Sequence, residues 1–163
     1  MASDRKQYRT ETRRNVLKMT GALAVGCAAP SIAVGPASAT PAEMQAAVAS
    51  VVGEARVNAG KVKLDIPPLV ENGNTVPCAV MVDSPMSVAD HVKAIHIFDE
   101  RNPQPYVFSV RLGPRAGRAS ISTRIRLRDT QNVLAVAELS DGTFWSDRVN
   151  VIVTIGACLE DVL

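Results

Sequence analysis

An all-β fold, an antiparallel β-sandwich of about seven strands behind a short N-terminal helix and a cleaved signal, is what the sequence predicts. Three observations carry it. Apolar and polar residues alternate with a period of two in several short runs. Turn-forming residues separate those runs at a spacing of roughly 8–12 positions. The composition is rich in Val, Ile, Leu and Ala while aromatics make up only 4%, which suits strands better than an aromatic-lined cofactor pocket. The pattern is of immunoglobulin-like type, and no cofactor is expected. With 163 residues, 47% hydrophobic and 21% charged, the chain fits one globular domain with a core of its own.

Residues 1–39 read as an export signal of the twin-arginine kind. Thr12-Arg13-Arg14-Asn15-Val16-Leu17-Lys18 precedes the apolar run Met19 to Val34, which is shorter than the ~20 residues a membrane-spanning helix needs but suits a signal. Ala37-Ser38-Ala39 supplies the small residues of a cleavage site, and Pro36 breaks any continuing helix. The expectation is cleavage after Ala39, a periplasmic protein and no stable membrane insertion. A retained anchor, or acylation of Cys27 in Ala24-Val25-Gly26-Cys27, ranks behind it, because a lipoprotein signal prefers Leu where Ala24 stands. The twin-arginine route carries proteins that fold, or join a partner, before export. Beyond the signal, 12 Lys and Arg face 14 Asp and Glu, a net charge of −2 against +2 for the whole chain. That balance lacks the footprint of a nucleic-acid binder.

The elements follow in order. Residues 40–60 form a short helix and a linker: Thr40 is the N-cap, Pro41 sits where a missing N–H costs nothing, and Glu43 closes a capping box. Met44, Val48, Val51 and Val52 share one face, and the helix ends near Gly53 and packs on the domain. Residues 61–155 form the sandwich. Val62, Leu64 and Ile66 alternate with charges until Pro67-Pro68; Asn72-Gly73-Asn74 turns into Val76, Cys78, Val80 and Val82; a third strand runs from His91 to Phe98. Tyr106, Phe108, Val110 and Leu112 make a fourth. Ala119, Ile121, Thr123, Ile125 and Leu127 then alternate with a cationic face that carries Arg118, Arg124, Arg126 and Arg128. Val133 to Leu139 and Thr143 to Arg148 flank Ser140-Asp141-Gly142, a hairpin signal, and Val149, Val151, Val153 and Ile155 make the last strand. Residues 156–163 remain as a C-terminal arm.

Few residues carry chemistry. His91 and His96 are the only histidines, and without further soft ligands at metal spacing they do not make a zinc or copper site. No Cys-x-x-Cys-His offers haem attachment. Cys78 lies on an apolar strand face, the place of a buried thiol. Cys158 follows the last strand. The pair leaves open a structural disulfide or a thiol redox couple, and Cys158 with a histidine base is formally a nucleophile, although a terminal arm lacks the fixed geometry that catalysis needs. The arginine row is a solvated face or a docking surface for acidic proteins.

The sequence also resembles the SoxY family of sulfur-oxidation carriers. The resemblance lies in Leu64-Asp65-Ile66-Pro67, Glu71-Asn72-Gly73-Asn74-Thr75-Val76-Pro77, Val82-Asp83-Ser84-Pro85-Met86, Ile95-His96-Ile97-Phe98, Ser122-Thr123-Arg124-Ile125-Arg126-Leu127, Val136-Ala137-Glu138 and Val153-Thr154-Ile155-Gly156. It implies a carrier rather than an enzyme, paired with a SoxZ-like subunit in a heterodimer, holding thiosulfate-derived sulfur on one cysteine. Cys158 is then the covalent attachment point and Gly156 the arm hinge. A c-type cytochrome complex would load the thiol, a manganese-dependent hydrolase would release sulfate, and a dehydrogenase would oxidise the remaining sulfur. The family's arm reads Gly-Gly-Cys-Gly-Gly, whereas here Gly156-Ala157-Cys158-Leu159-Glu160 matches it only at Gly156 and Cys158. Ala157 narrows the backbone's freedom, and Leu159 and Glu160 add bulk. The rival reading is an immunoglobulin-like interaction module, or a SoxY paralogue, with an altered tail that carries nothing.

Overall fold

In a computed structural model of the chain, residues 39–157 are described. The signal-like segment with Cys27, and the arm from Cys158 onward, lie outside the described residues.

The helix α1 (Pro41–Val52) opens with the capping box its sequence encodes: the Glu43 N–H donates to Thr40 Oγ1 at 3.3 Å and the Thr40 N–H donates to Glu43 Oε2 at 2.6 Å. Its last turn closes at Gly53, whose N–H donates to the Ala49 carbonyl. Nine strands follow among the described residues: β1 (Val57–Ala59), β2 (Val62–Asp65), β3 (Leu69–Asn72), β4 (Val76–Val82), β5 (Val92–Asp99), β6 (Tyr106–Arg111), β7 (Ser120–Ile125), β8 (Gln131–Leu139) and β9 (Phe144–Ile155). The larger sheet has the order β1-β9-β8-β5-β6, with β3 also on β9, and the smaller has β2-β4-β7. All pairings between β2 and β8 in sequence are antiparallel, as is β8 with β9.

Two features differ from the sequence expectation. Thr143–Arg148 and Val149–Ile155 are one continuous strand, β9, because no Gly or Pro interrupts them. It is long enough to accept β1 and β3 as parallel neighbours, Val57 opposite Phe144 and Leu69 opposite Ile152. Ile152 donates its N–H to the Pro68 carbonyl while the next residue, Val153, donates to Thr130 Oγ1. Successive amides of a strand point to opposite edges, so β3 takes the edge of β9 that faces away from β8. Strand β7 ends at Ile125, and the expected continuation to Arg128 becomes a shelf beside the end of β9.

The main core lies between the sheets. Val76, Cys78, Val80 and Val82 of β4 face Ile95, Ile97, Val133, Ala135, Ala137 and Val151. Pro77 is tolerated within β4 because β2 pairs only as far as Ala79, leaving no ladder bond on that side to lose. A second core forms where α1 covers the outer face of the larger sheet: Met44 packs on Phe98, Leu134, Val136 and Phe144. Strands β5 and β8 are thus buried on both faces, which is why Val133-Leu134-Ala135-Val136-Ala137 reads as a continuous apolar run. The exposed backbone edge of β2 is capped from the other sheet, with the Leu64 N–H donating to Asp147 Oδ2 at 2.8 Å.

Candidate functional site

The chemistry the sequence singles out lies at and beyond the end of β9, so the site is built from what holds that end. Ile155 accepts a hydrogen bond from the Gly73 N–H at 2.8 Å, and Ala157 donates to the Leu127 carbonyl at 2.9 Å. Leu127 in turn donates to the Gly73 carbonyl at 2.8 Å. The β3–β4 turn, the shelf after β7 and the last described residues form one closed knot of main chain.

Glycine is required twice here by space alone. A Cβ on Gly156 would stand 2.0 Å from the Arg128 carbonyl oxygen, and one on Gly73 would stand 2.1 Å from the Leu127 carbonyl oxygen. Neither residue has a positive φ; both are there because backbones touch. The glycine expected as a hinge is therefore also a packing residue, wedged against the shelf.

The shelf is fixed from below by a buried polar cluster. The Asn102 side chain donates to the Arg126 carbonyl at 2.8 Å and accepts from the Arg128 N–H at 3.0 Å and from Gln131 Nε2 at 3.2 Å. Gln131 Oε1 accepts the N–H groups of Glu100 and Arg101, at 3.1 and 2.7 Å. The Asn102 N–H donates to Asp99 Oδ1 at 3.3 Å. The other Asp99 oxygen is buried with no partner among the described residues, and burial pushes this carboxyl up to about 7. Asn102 and Gln131 were not among the sequence-derived candidates. The only local trace is Asn102 preceding Pro103 in a turn; Gln131 opens an otherwise apolar strand and gives no sign of its role.

Cys158 itself lies outside the described residues. Cys78 is a free thiol 1% exposed in the inter-sheet core, and burial raises it to about 11. It is the less nucleophilic kind of thiol. His91 and His96 do not converge on a site. His96 lies on the face of β5 that carries Phe98, with Nδ1 2.9 Å from Tyr106 Oη and Nε2 buried without a partner. Desolvation holds its pKa below the ordinary value, against an opposing pull from Glu138 and with a smaller push from Arg111. Among the described residues no three His, Cys, Asp or Glu side chains are grouped to hold a metal. No described helix is long and apolar enough to cross a membrane.

These features define a class: a two-sheet β-sandwich whose last strand ends at a pole braced by backbone hydrogen bonds. Comparison with known proteins gives the family. The model of sulfur oxidation protein SoxY matches residues 48–158, and the chain belongs to the SoxY family. Among solved structures, the sulfur carrier protein SoxY from Chlorobium limicola f thiosulfatophilum superposes with a TM-score of 0.59 at 27% identity, covering 70% of this chain and 98% of that one. The superoxide reductase (neelaredoxin) from Ignicoccus hospitalis shares the fold at a TM-score of 0.51 and 17% identity, covering 71% of this chain and 94% of that one. The superoxide reductase from Nanoarchaeum equitans does so at 0.51 and 8% identity, over 59% of this chain and all of its own length (100%). No curated protein matches the sequence.

Proposed function

We propose that the chain is a non-enzymatic carrier of sulfur oxidation intermediates, exported to the periplasm by the twin-arginine route, with Cys158 as the covalent attachment point. The observation that supports it most is the position of that cysteine: one residue beyond the anchored Ala157, at the end of the SoxY-family match. Cys78, the other cysteine of the family match, is sealed in the core, and the hydrogen bond from Ala157 to Leu127 fixes the chain one residue before Cys158.

The chemistry assigned to the arm is redox-balanced. The Cys158 thiolate and thiosulfate join through a new S–S bond and give up two electrons, which a c-type cytochrome partner accepts. Water then attacks the terminal sulfone, releasing sulfate and two protons and leaving a persulfide on Cys158; a manganese-dependent hydrolase partner supplies that step. The carrier contributes position and a leaving sulfur. A SoxZ-like subunit is the expected stable partner. Glu160 and Asp161 follow Cys158 closely in the sequence, and their charge opposes an approaching dianion, so loading is expected to accelerate as salt screens them. Gly156 supplies the hinge only to the extent that the Ala157 bond to Leu127 opens.

Intact mass of the protein isolated from thiosulfate-fed cells, before and after a reductant, tests this reading against the Cys158→Ser variant. Reductant-labile adducts that vanish in the variant are the expected result. An unmodified chain under the same conditions would leave the rival, an interaction module with a non-carrying tail.

A further inference from the structure

The outer face of the smaller sheet is a surface that the carrier arm does not use. Residues opposite one another in a ladder share a face. The register sets Lys63 beside Met81 and Met81 beside Ser120, then Ala79 beside Ser122 and Pro77 beside Arg124. The alternate residues of the same strands, Val62, Val76, Cys78 and Val80 among them, fill the core. The larger sheet has α1 on its outer face, whereas Lys63, Pro77, Met81 and Arg124 of this one are exposed.

Charge and apolar surface are sorted across that face. The middle strand offers Pro77, Ala79 and Met81, the last 44% exposed, and no charge at all. Cations stand on both flanks, Lys61 and Lys63 on one side and Arg118 and Arg124 on the other. Where β2 begins and β4 ends, the surface dips into a groove of about 380 Å³ shared by Lys61, Lys63, Met81 and Arg118. Four of the 12 cations beyond residue 39 lie on this face against two of the 14 acids, Asp65 and Asp83, so it is net +2 while the rest of that stretch is net −4. Among the described residues none of the four cations is in an ion pair.

We infer that this face is a docking surface for an acidic protein that binds transiently, setting carboxylates around an apolar spot that covers Met81. A permanent subunit interface is apolar and depleted of charge at its centre. A cationic rim around a small apolar stripe suits a steered, reversible encounter instead, so the occupant is a protein other than the stable SoxZ-like subunit. Asp65, beside Ala79 within the face, repels a continuous polyanion but can be matched by a cation on a protein surface. Strand β7 also leads from this face to the arm pole. Arg124 is three residues from Leu127, at most about 11 Å of backbone, and Leu127 accepts the Ala157 amide. A protein seated on the face therefore has the end of β9 at its margin. The inference does not depend on what Cys158 carries, and it stands or falls separately from the carrier reading.

The test adds a carbodiimide, which joins lysine amines to carboxylates in contact, to extract of thiosulfate-fed cells that make the full chain, and maps the cross-linked peptides by mass spectrometry. The expected products join Lys61 or Lys63 to Asp or Glu of another, acidic protein. Their yield should fall about tenfold or more in Arg118→Glu with Arg124→Glu, which leaves both lysines in place, and should fall likewise in high salt. Arg118→Lys with Arg124→Lys should preserve it. Changing the mapped carboxylates of the partner to lysine should restore binding to the reversed face, which a folding defect would not allow. Absence of any such product overturns the inference, as does a yield indifferent to the arginine reversals. Products confined to the SoxZ-like subunit would make the face a permanent interface, and products confined to further copies of this chain would make it a self-contact; either result overturns it as well.

Discussion

The two ends of the sandwich are built by opposite rules. At the arm pole Gly73 and Gly156 admit no side chain, three backbone segments exchange hydrogen bonds, and Asn102 and Gln131 are buried beneath them. At the opposite pole, where β2 begins and β4 ends, Lys63 and Arg118 are exposed, Lys61 lies over the Trp145 ring, and the hairpin glycine Gly142 has nothing within 4 Å of where its Cβ would be. The first end gives up tolerance to hold the end of β9 in one place; the second leaves charged side chains accessible. Close backbone packing and accessible charge are divided between opposite ends of one domain.

That contrast breaks most visibly at the glycines. Gly156→Val drives a side chain into the Arg128 carbonyl, and a loss of about 3 kcal/mol is expected, read as a Tm lower by roughly 10 °C. A Tm within a degree or two of the parent's would show that the shelf yields and the pole is not rigid. Next in size is Asn102→Ala, which leaves the Arg126 carbonyl and the Arg128 and Gln131 N–H groups without their partner. A cost of about 2–3 kcal/mol in urea unfolding is expected, together with faster hydrogen exchange at the Ala157 amide.

Asp99 sharpens the comparison through pH. The folded protein keeps this proton up to about 7, whereas an unfolded Asp releases it near 3.9. The stability it contributes is therefore complete below about pH 4 and is lost as pH rises to about 7. Measured relative to Asp99→Asn, which stays neutral, the parent should lose on the order of 2 kcal/mol between pH 5 and pH 8. Parallel stability curves for the two proteins would mean that the carboxyl is not buried as described. The difference design matters because His96, with its pKa depressed, acts in the opposite direction below its ordinary range. The smallest effect belongs to the opposite pole: Gly142→Ala meets no atom and is opposed only by its φ of +82°, so about 1 kcal/mol is expected. A loss as large as that of Gly156→Val would erase the distinction between the ends.

How much of this the sequence disclosed follows the range of the interactions. The helix cap at Thr40 and Glu43, the alternation in β2, β4 and β6 and the Asp141-Gly142 turn are local, and each is legible in a few adjacent residues. β1 and β3 are three and four residues long, exist only as parallel neighbours of β9, and carry no alternation of their own, so nothing near Val57 or Leu69 announces them. The arm pole is the extreme case. Asn102, Gln131 and Gly73 meet only through tertiary contact, and Gly73 looks like an ordinary turn glycine whereas its real constraint is a carbonyl from Leu127. The candidate residue was legible without its setting: Cys158 stands out by position and by resemblance, while the knot behind it is visible only once the strands are paired.

The account's central claim is that Cys78, sealed in the inter-sheet core, differs in kind from Cys158, the proposed attachment point. Brief alkylation of the reduced native protein at pH 8, followed by peptide mapping, tests it most directly. The account predicts complete labelling of Cys158 with none at Cys78, and labelling of Cys78 only after denaturation. Cys78 reacting in the native protein, or Cys158 protected there, would contradict it.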